Sequence, residues 1–524
     1  MRERNVPEVS VSSQRRIYAV LGVPPEIQAY AMARYSRSAR SMRASIEELS
    51  GQQAAEFLNT FYFQYGHRSI ADLAHVALAI ENISLLAALR VTDEAPWDGQ
   101  ERSTRYQDFE QSGAYRPPDL DEAAAARYDQ TVRVLLAAYR ALSDALFAAL
   151  RDAFPVPAGQ SPRAHERTLR ARAFDVARGL LPLAMHTSLG QIVSARVLER
   201  QICRLLADPL PEVRAIGEEL RQAGAAPAYD LTAERLAALR ALLPADAPET
   251  LRAGLDALAM PQAPAPTLVR YTQPDAYARD TYADLAAWVA TYLDLPPPDR
   301  RAPVELVTPR HPVEETLATL CYRVAAGHSF RQVLEAVRAL GAAQQRELLA
   351  LATRRRGAHD ELLREHRSGY ALIFDLLIDV GAYRDLHRHR RCIHIAQDPR
   401  PGLGWDAAEE VFDLGLGPAA APALAAGLGH RYEQALREAH AAAGALRPEH
   451  GVYLLPLASR MRALMKMDAA EAAYIIELRT GPGGHFAYRL AAWRMYEALR
   501  AQYPDLAAGI RATDPRVVVD LLKR

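Results

Sequence analysis

Two stretches of this chain place apolar residues at every second position. Val76, Leu78 and Ile80 do so in the N-terminal half, and Tyr370, Leu372, Phe374, Leu376, Ile378 and Val380 in the C-terminal half. Period two predicts a β-strand with one buried face, and Asp375 and Asp379 fall on the face opposite the apolar row. Helix-like text follows each run, over 83–91 and 382–391, and 304–307 is a further short strand candidate. Most of the remainder carries Ala, Leu, Arg and Glu at 3.6-residue spacing, as in 123–151 and 191–206, which predicts amphipathic helices. The expected class is α+β, rich in helix, with a small antiparallel sheet in each half.

The halves echo one another. His67-Arg68-Ser69 returns as His366-Arg367-Ser368, and Leu180-Leu181-Pro182-Leu183-Ala184 returns letter for letter as Leu454-Leu455-Pro456-Leu457-Ala458. Two echoes in the same order point to a tandem duplication. Prolines at 261, 264, 266 and 296–298 resist helix and sheet and suit a linker. The chain is therefore expected to comprise a first repeat over 1–259, a linker over 260–303 and a second repeat over 304–524.

Composition narrows the function classes. The 524 residues contain 63 Lys+Arg and 63 Asp+Glu, a balance that gives no general pull toward nucleic acid or a membrane surface. Cys203, Cys321 and Cys392 are isolated, which argues against a disulfide framework and against a cysteine-based zinc site. The N-terminus has charge but no apolar run after it, and no stretch of about 18 apolar residues occurs. A cytoplasmic protein without metal, nucleic-acid or membrane partners is the expectation.

The most telling motif is split between the repeats. Arg388-His389-Arg390 lies in the second, and Glu101-Arg102-Ser103-Thr104-Arg105-Tyr106 in the first. Joined, they would read RHR-x5-E-x-S-x-R-Y, and on these residues the chain resembles the flavin-dependent thymidylate synthases, over about 26–220 and 304–503. The first repeat also keeps Gly66-His67-Arg68-Ser69, Arg178 ahead of Leu181-Pro182, and Ser194-Ala195-Arg196, but has Asp93-Glu94-Ala95 where the triplet belongs. The second keeps Arg384, the triplet and Arg479. It has Ile393, Ala396, Asp398 and Pro401 where serine, glutamate, serine and tyrosine are usual, with only Arg400 matching.

The resemblance implies reductive methylation of dUMP to dTMP, with methylene-tetrahydrofolate as carbon donor, NADPH as reductant and FAD as hydride carrier. It implies Ser103 and Arg479 in catalysis, and Glu101, Ser103, Arg105 and Arg178 around the nucleotide. It implies His67, Ser69, Arg196, Arg388, His389 and Arg390 around the flavin. Guanidinium groups suit phosphate because they are planar, permanently charged and bidentate. Because the family assembles as a tetramer with sites between protomers, fused repeats imply a homodimer. The same residues have plainer readings: Ser103 as a turn cap, Arg105 paired with Asp108 or Glu101, and 387–391 as a solvated basic helix end. A non-catalytic descendant that binds flavin or nucleotide, or serves as a scaffold, is the competing function.

Overall fold

The computed structural model describes residues 22–35, 68–105, 109, 113–308, 311–357, 360–517 and 521. In the first repeat, β1 (His75–Ser84) runs into α1 (Leu85–Val91) and then β2 (Asp98–Glu101). After α2 (Pro162–Ala177) come β3 (His186–Ser194), α3 (Ala195–Leu206) and α4 (Pro211–Ala225). The second repeat has β4 (Val304–Leu306), β5 (Leu372–Asp379), α5 (Val380–Leu386), β6 (Ile393–Ala396) and α6 (Ala408–Leu416). It ends with β7 (Arg460–Met467), α7 (Ala469–Thr480) and α8 (Phe486–Gln502). The sheet orders are β1-β3-β2 and β4-β5-β7-β6. The α+β expectation holds, with helix predominating and β2–β3, β4–β5, β5–β7 and β6–β7 paired antiparallel.

The β1-to-α1 and β5-to-α5 junctions are each sealed by a side-chain cap. Ser84 Oγ accepts the Ala87 N–H at 2.9 Å, and Asp379 Oδ1 accepts that of Ala382 at 2.8 Å. Such caps satisfy a donor that the first helical turn leaves without a partner. The predicted helix over 191–206 starts later, because 191–194 belong to β3. The helix predicted over 382–391 stops at Leu386, so Arg388-His389-Arg390 lies on the turn beyond it.

The one-faced strand proved half right. In β1, Val76 and Ile80 are buried while alternate positions are exposed. In β5 every residue from Leu372 to Ile378 is buried, including Asp375 at 0 % exposure. The helix Pro312–Val324 carries polar partners to this second face. Tyr322 donates its hydroxyl to Asp375 at 2.8 Å, and Glu315 receives Lys466 of β7 at 2.7 Å. Arg462 of β7 adds an ion pair to Asp375 at 2.9 Å. A polar residue in a period-two row therefore marked a buried charge network here, which is tolerable because its members are mutually hydrogen-bonded.

The stretch 260–303 is more than a linker. Its prolines cluster toward the ends, leaving 276–292 free to form a helix, Ala276–Tyr292. Tyr277, Leu285, Trp288 and Val289 of that helix lie in a buried cluster with Leu317, Leu320 and Phe330.

The duplicated pentapeptides meet. Leu183 N donates to Leu455 O at 2.9 Å, and Leu457 N donates to Leu181 O at 2.9 Å. One step outward, Ala184 N donates to Tyr453 O at 2.8 Å and Ala458 N to Gly179 O at 3.0 Å. Leu86 N bonds Leu183 O at 3.1 Å, and its counterpart Gly381 N bonds Leu457 O at 3.1 Å. Reciprocal contacts of this kind are the mark of a two-fold relation, here between repeats of one chain.

By compactness the chain divides into two units. One is Met1–Val76 with Ser194–Arg196 and Ala223–Arg270; the other is Ala77–Val193 with Val197–Gln222 and Tyr271–Arg524. In the first, the buried Glu26 of the helix Pro25–Tyr35 accepts the Thr267 N–H at 2.8 Å. The second contains most of both repeats and both parts of the split motif.

Candidate functional site

Arg388 and Arg390 line a small open cleft with Trp97, Gly99 and Glu101 of the first repeat. Trp97 is fixed by a bond from its indole Nε1 to Gln191 Oε1 at 2.7 Å. Gly99 is required beside it, since a Cβ there would lie 2.4 Å from Gly190 O and 2.5 Å from the Trp97 ring. The Arg390 guanidinium sits 5.1 Å over the Trp97 ring, a cation–π contact. Glu101 pairs with Arg384, both nearly buried. Arg388 is exposed and has no ion pair among the described residues. The cleft thus presents, beside an aromatic surface, two guanidinium groups that make no ion pair among the described residues.

His389 points away from that cleft. It is 5 % exposed, and its Nε2 accepts from Arg479 Nε at 2.7 Å. Burial, followed by the charges of Arg479 and Arg390, lowers its pKa to about 3. The ring is therefore neutral at ordinary pH, as accepting from an arginine requires. Arg479 in turn lies 5.2 Å over the Tyr488 ring.

The arginines that the resemblance places around a nucleotide already have partners within the protein. Arg105, 8 % exposed, holds Asp175 of α2 through Nε at 2.9 Å and Nη2 at 3.3 Å. Its Nη1 reaches the Tyr488 hydroxyl at 3.5 Å. Arg178, 4 % exposed, donates to Thr104 Oγ1 at 3.0 Å and faces Asp385 at 3.5 Å and His485 at 3.1 Å. His485 Nδ1 accepts the Ala487 N–H, which places the ring proton on Nε2, where Asp175 O receives it at 2.8 Å. The Arg178–His485 approach is then a packing contact, since one nitrogen cannot donate and accept together. Ser103 Oγ accepts the Arg105 N–H at 3.2 Å, a local turn bond. The expected surface pairing of Arg105 is replaced by a buried one with Asp175.

The position matching the triplet in the first repeat is closed by its own charges. Glu94, 2 % exposed, takes Arg200 at 2.7 Å and Arg204 at 2.8 Å, both from α3. Asp93 takes Arg364 at 2.6 Å and His387 at 3.3 Å. Burial alone would raise the Asp93 pKa, but Arg364 and then His387 outweigh it, and the net value is well below the usual carboxylate range.

Of the remaining predicted residues, Arg196 pairs with Asp72 at 3.1 Å in the smaller unit, with both side chains well exposed. Ser69 falls in the short 3-10 helix Arg68–Leu73, and His67 lies outside the described residues. Trp97, Asp175, His485 and Tyr488 were not foreseen. Only Trp97 carried a signal, as one of four tryptophans and set beside the split motif. Among the described residues no group of three or more His, Cys, Asp or Glu could hold a metal ion. No single helix among them is long and apolar enough to cross a membrane.

The family description "Thymidylate synthase complementing protein" matches residues 22–227 and 315–505, most of the chain, in two copies. The chain belongs to this family. Both matched segments coincide with the two repeats, which agrees with tandem duplication. A UPF0159 protein of Chlamydia muridarum is 25 % identical over 95 % of this chain and 92 % of its own. UPF0159 proteins of Chlamydia pneumoniae, 26 % identical, and Thermoplasma acidophilum, 23 % identical, align over 91 % and 92 % of this chain and 87 % and 94 % of theirs. Among solved structures, the flavin-dependent thymidylate synthase ThyX of Helicobacter pylori, complexed with FAD and dUMP, is 15 % identical. It covers 38 % of this chain and 89 % of its own, with a TM-score of 0.24.

Proposed function

We propose that this thymidylate synthase complementing family member binds a flavin dinucleotide at the Arg388–Arg390 cleft and does not methylate dUMP in its resting form. The observation that carries the reading is a contrast between arginines. Arg388 and Arg390 have no carboxylate partner among the described residues and face a cleft, whereas Arg105 and Arg178 are buried against Asp175 and Asp385. Guanidinium groups without counter-ions suit the phosphates of such a cofactor, and Trp97 suits a flat ring. The cleft is small and open to solvent, so it would hold one end of the dinucleotide against its arginines rather than enclose the whole. A bound flavin would supply hydride transfer; the protein residues bind and orient it.

The methylating reading, with dUMP, methylene-tetrahydrofolate and NADPH, has its own support. Tyr488 is shared by Arg105 and Arg479, so residues of both repeats gather where a nucleotide would be held. It requires Asp175 and Asp385 to give up their arginines. The test is to purify the chain, record visible flavin absorption, titrate FAD against Trp fluorescence, and assay dTMP formation with all three substrates. The proposal expects FAD binding that weakens on Arg388→Ala and Arg390→Ala, and no dTMP. Absence of FAD binding removes the flavin half, and steady dTMP formation removes the other.

A further inference from the structure

Between the two matched segments the chain forms a helical hairpin, Leu231–Ala241 followed by Glu249–Leu258. It belongs to the smaller compact unit. Asp230 caps the first helix by accepting the Thr232 and Ala233 N–H groups, and Arg240 pairs with Asp256 across the hairpin at 3.1 Å. Arg252 Nη2 donates to Pro244 O at 2.9 Å and closes the connection. At the base, Ala228 N donates to Gln262 O at 3.0 Å and Ala265 N to Gly224 O at 2.9 Å.

The residues of the first helix do not match its surroundings. Seven of its 11 residues are Leu or Ala, spread around the axis. A helix apolar all round is normally buried, yet only Ala233 in it is buried, and the second helix has no buried residue. By helical spacing, Leu231, Leu239 and Leu242 lie within about 80° of one another, on the side away from Arg240. Leu251 and Leu258 form a similar row on the second helix, away from Asp256. Leu242 is 80 % exposed and Leu258 69 %. With Met260 these leucines leave roughly 700 Å² open, close to the area that each partner brings to a standard interface.

We propose that this hairpin is the surface through which two copies of the chain associate, each laying its leucine rows against the other about a two-fold axis. The occupant follows from size and charge. The open area is what one side of a dimer needs, and two packed hairpins make four helices around a shared apolar seam, a closed and self-complementary arrangement. The segment 229–260 holds five acidic and three basic residues, with Arg240 and Arg252 already engaged inside it. That near-balance neither draws a strongly charged partner nor sets two copies strongly against each other. The surface is independent of the flavin reading.

The test is the mass of the full chain in solution, by light scattering and sedimentation from nanomolar to micromolar concentration. Leu242→Glu combined with Leu258→Glu should halve the particle mass, because the contact would bury carboxylates without partners. Leu506→Glu, at an exposed leucine outside the hairpin, should leave the mass unchanged. Leu242→Ser combined with Leu258→Ser should weaken association at least about a hundredfold, and it decides the matter if the acidic pair does not fold. A monomeric wild type at micromolar concentration, a mass unchanged by the hairpin pairs, or an equal effect of Leu506→Glu would overturn the assignment.

Discussion

Replacing Arg462 by methionine should destabilise the larger unit in a pH-dependent way. Arg462 is 1 % exposed and its partner Asp375 is 0 % exposed, joined at 2.9 Å. Asp375 would keep the Tyr322 hydroxyl at 2.8 Å and the Phe330 N–H at 2.9 Å but lose the cation paired with it. Breaking a buried pair by removing one member typically costs about 3–5 kcal/mol, because the charge left behind is uncompensated. Burial already raises the Asp375 pKa despite Arg462. Without the arginine the folded pKa rises further above its unfolded value, so the folded variant binds a proton that the unfolded chain does not. Stability of the variant relative to wild type is then greatest at low pH and is lost as pH rises toward the folded pKa, by up to about 1.4 kcal/mol per pH unit. Urea denaturation followed by circular dichroism at pH 5 and pH 7 measures this. The expected loss is about 3–5 kcal/mol at pH 7 and roughly 1–3 kcal/mol less at pH 5. A loss below about 1 kcal/mol at pH 7, or the same loss at both, would refute the reasoning; Arg462→Met with Asp375→Asn should recover much of the difference.

His389→Gln should make the chain less acid-sensitive. The folded pKa of His389, about 3, lies below the unfolded value, so its contribution is complete above about pH 6.5 and is lost as pH falls toward 3. Wild type should lose up to about 3 kcal/mol more than the variant between pH 7 and pH 4, read from urea midpoints. Gly99→Ala should displace Trp97 or β3, costing about 1–3 kcal/mol and weakening FAD binding, measured by melting and by fluorescence titration. Static light scattering should report two chains per particle at micromolar concentration, and a monomer would count against the fused-tetramer expectation.

What could be read from the residues, and what could not, follows from the range of the forces involved. Period two named β1 and β5, because burial of one face is written locally. The second buried face of β5 was invisible, since Asp375 looks solvent-facing until Arg462 and Tyr322, far away in the chain, come to meet it. The split motif named Arg388, Arg390, Glu101 and Arg105, and the cleft does bring Arg388 and Arg390 beside Glu101. That Asp175 would claim Arg105 had no local sign: an aspartate in a helical stretch reads as surface charge unless the partner is known. His440 illustrates the same limit. It reads as a helix-surface residue, yet it is 9 % exposed, bonded to Ser459 at 2.9 Å, with burial lowering its pKa to about 4.

The reciprocal bonds between the two Leu-Leu-Pro-Leu-Ala segments have a consequence for how such a chain can change. In an assembly of identical subunits every substitution is imposed on all symmetry-related positions at once, so a residue cannot be gained at one place and abandoned at its mate. Here the backbone clasp of Leu183 with Leu455 and of Leu457 with Leu181 ties two halves encoded separately. Each mutation strikes one side only. That freedom accounts for a triplet of Arg-His-Arg facing Asp-Glu-Ala across the pseudo-dyad, and for Ser84 capping one helix where its twin is capped by Asp379.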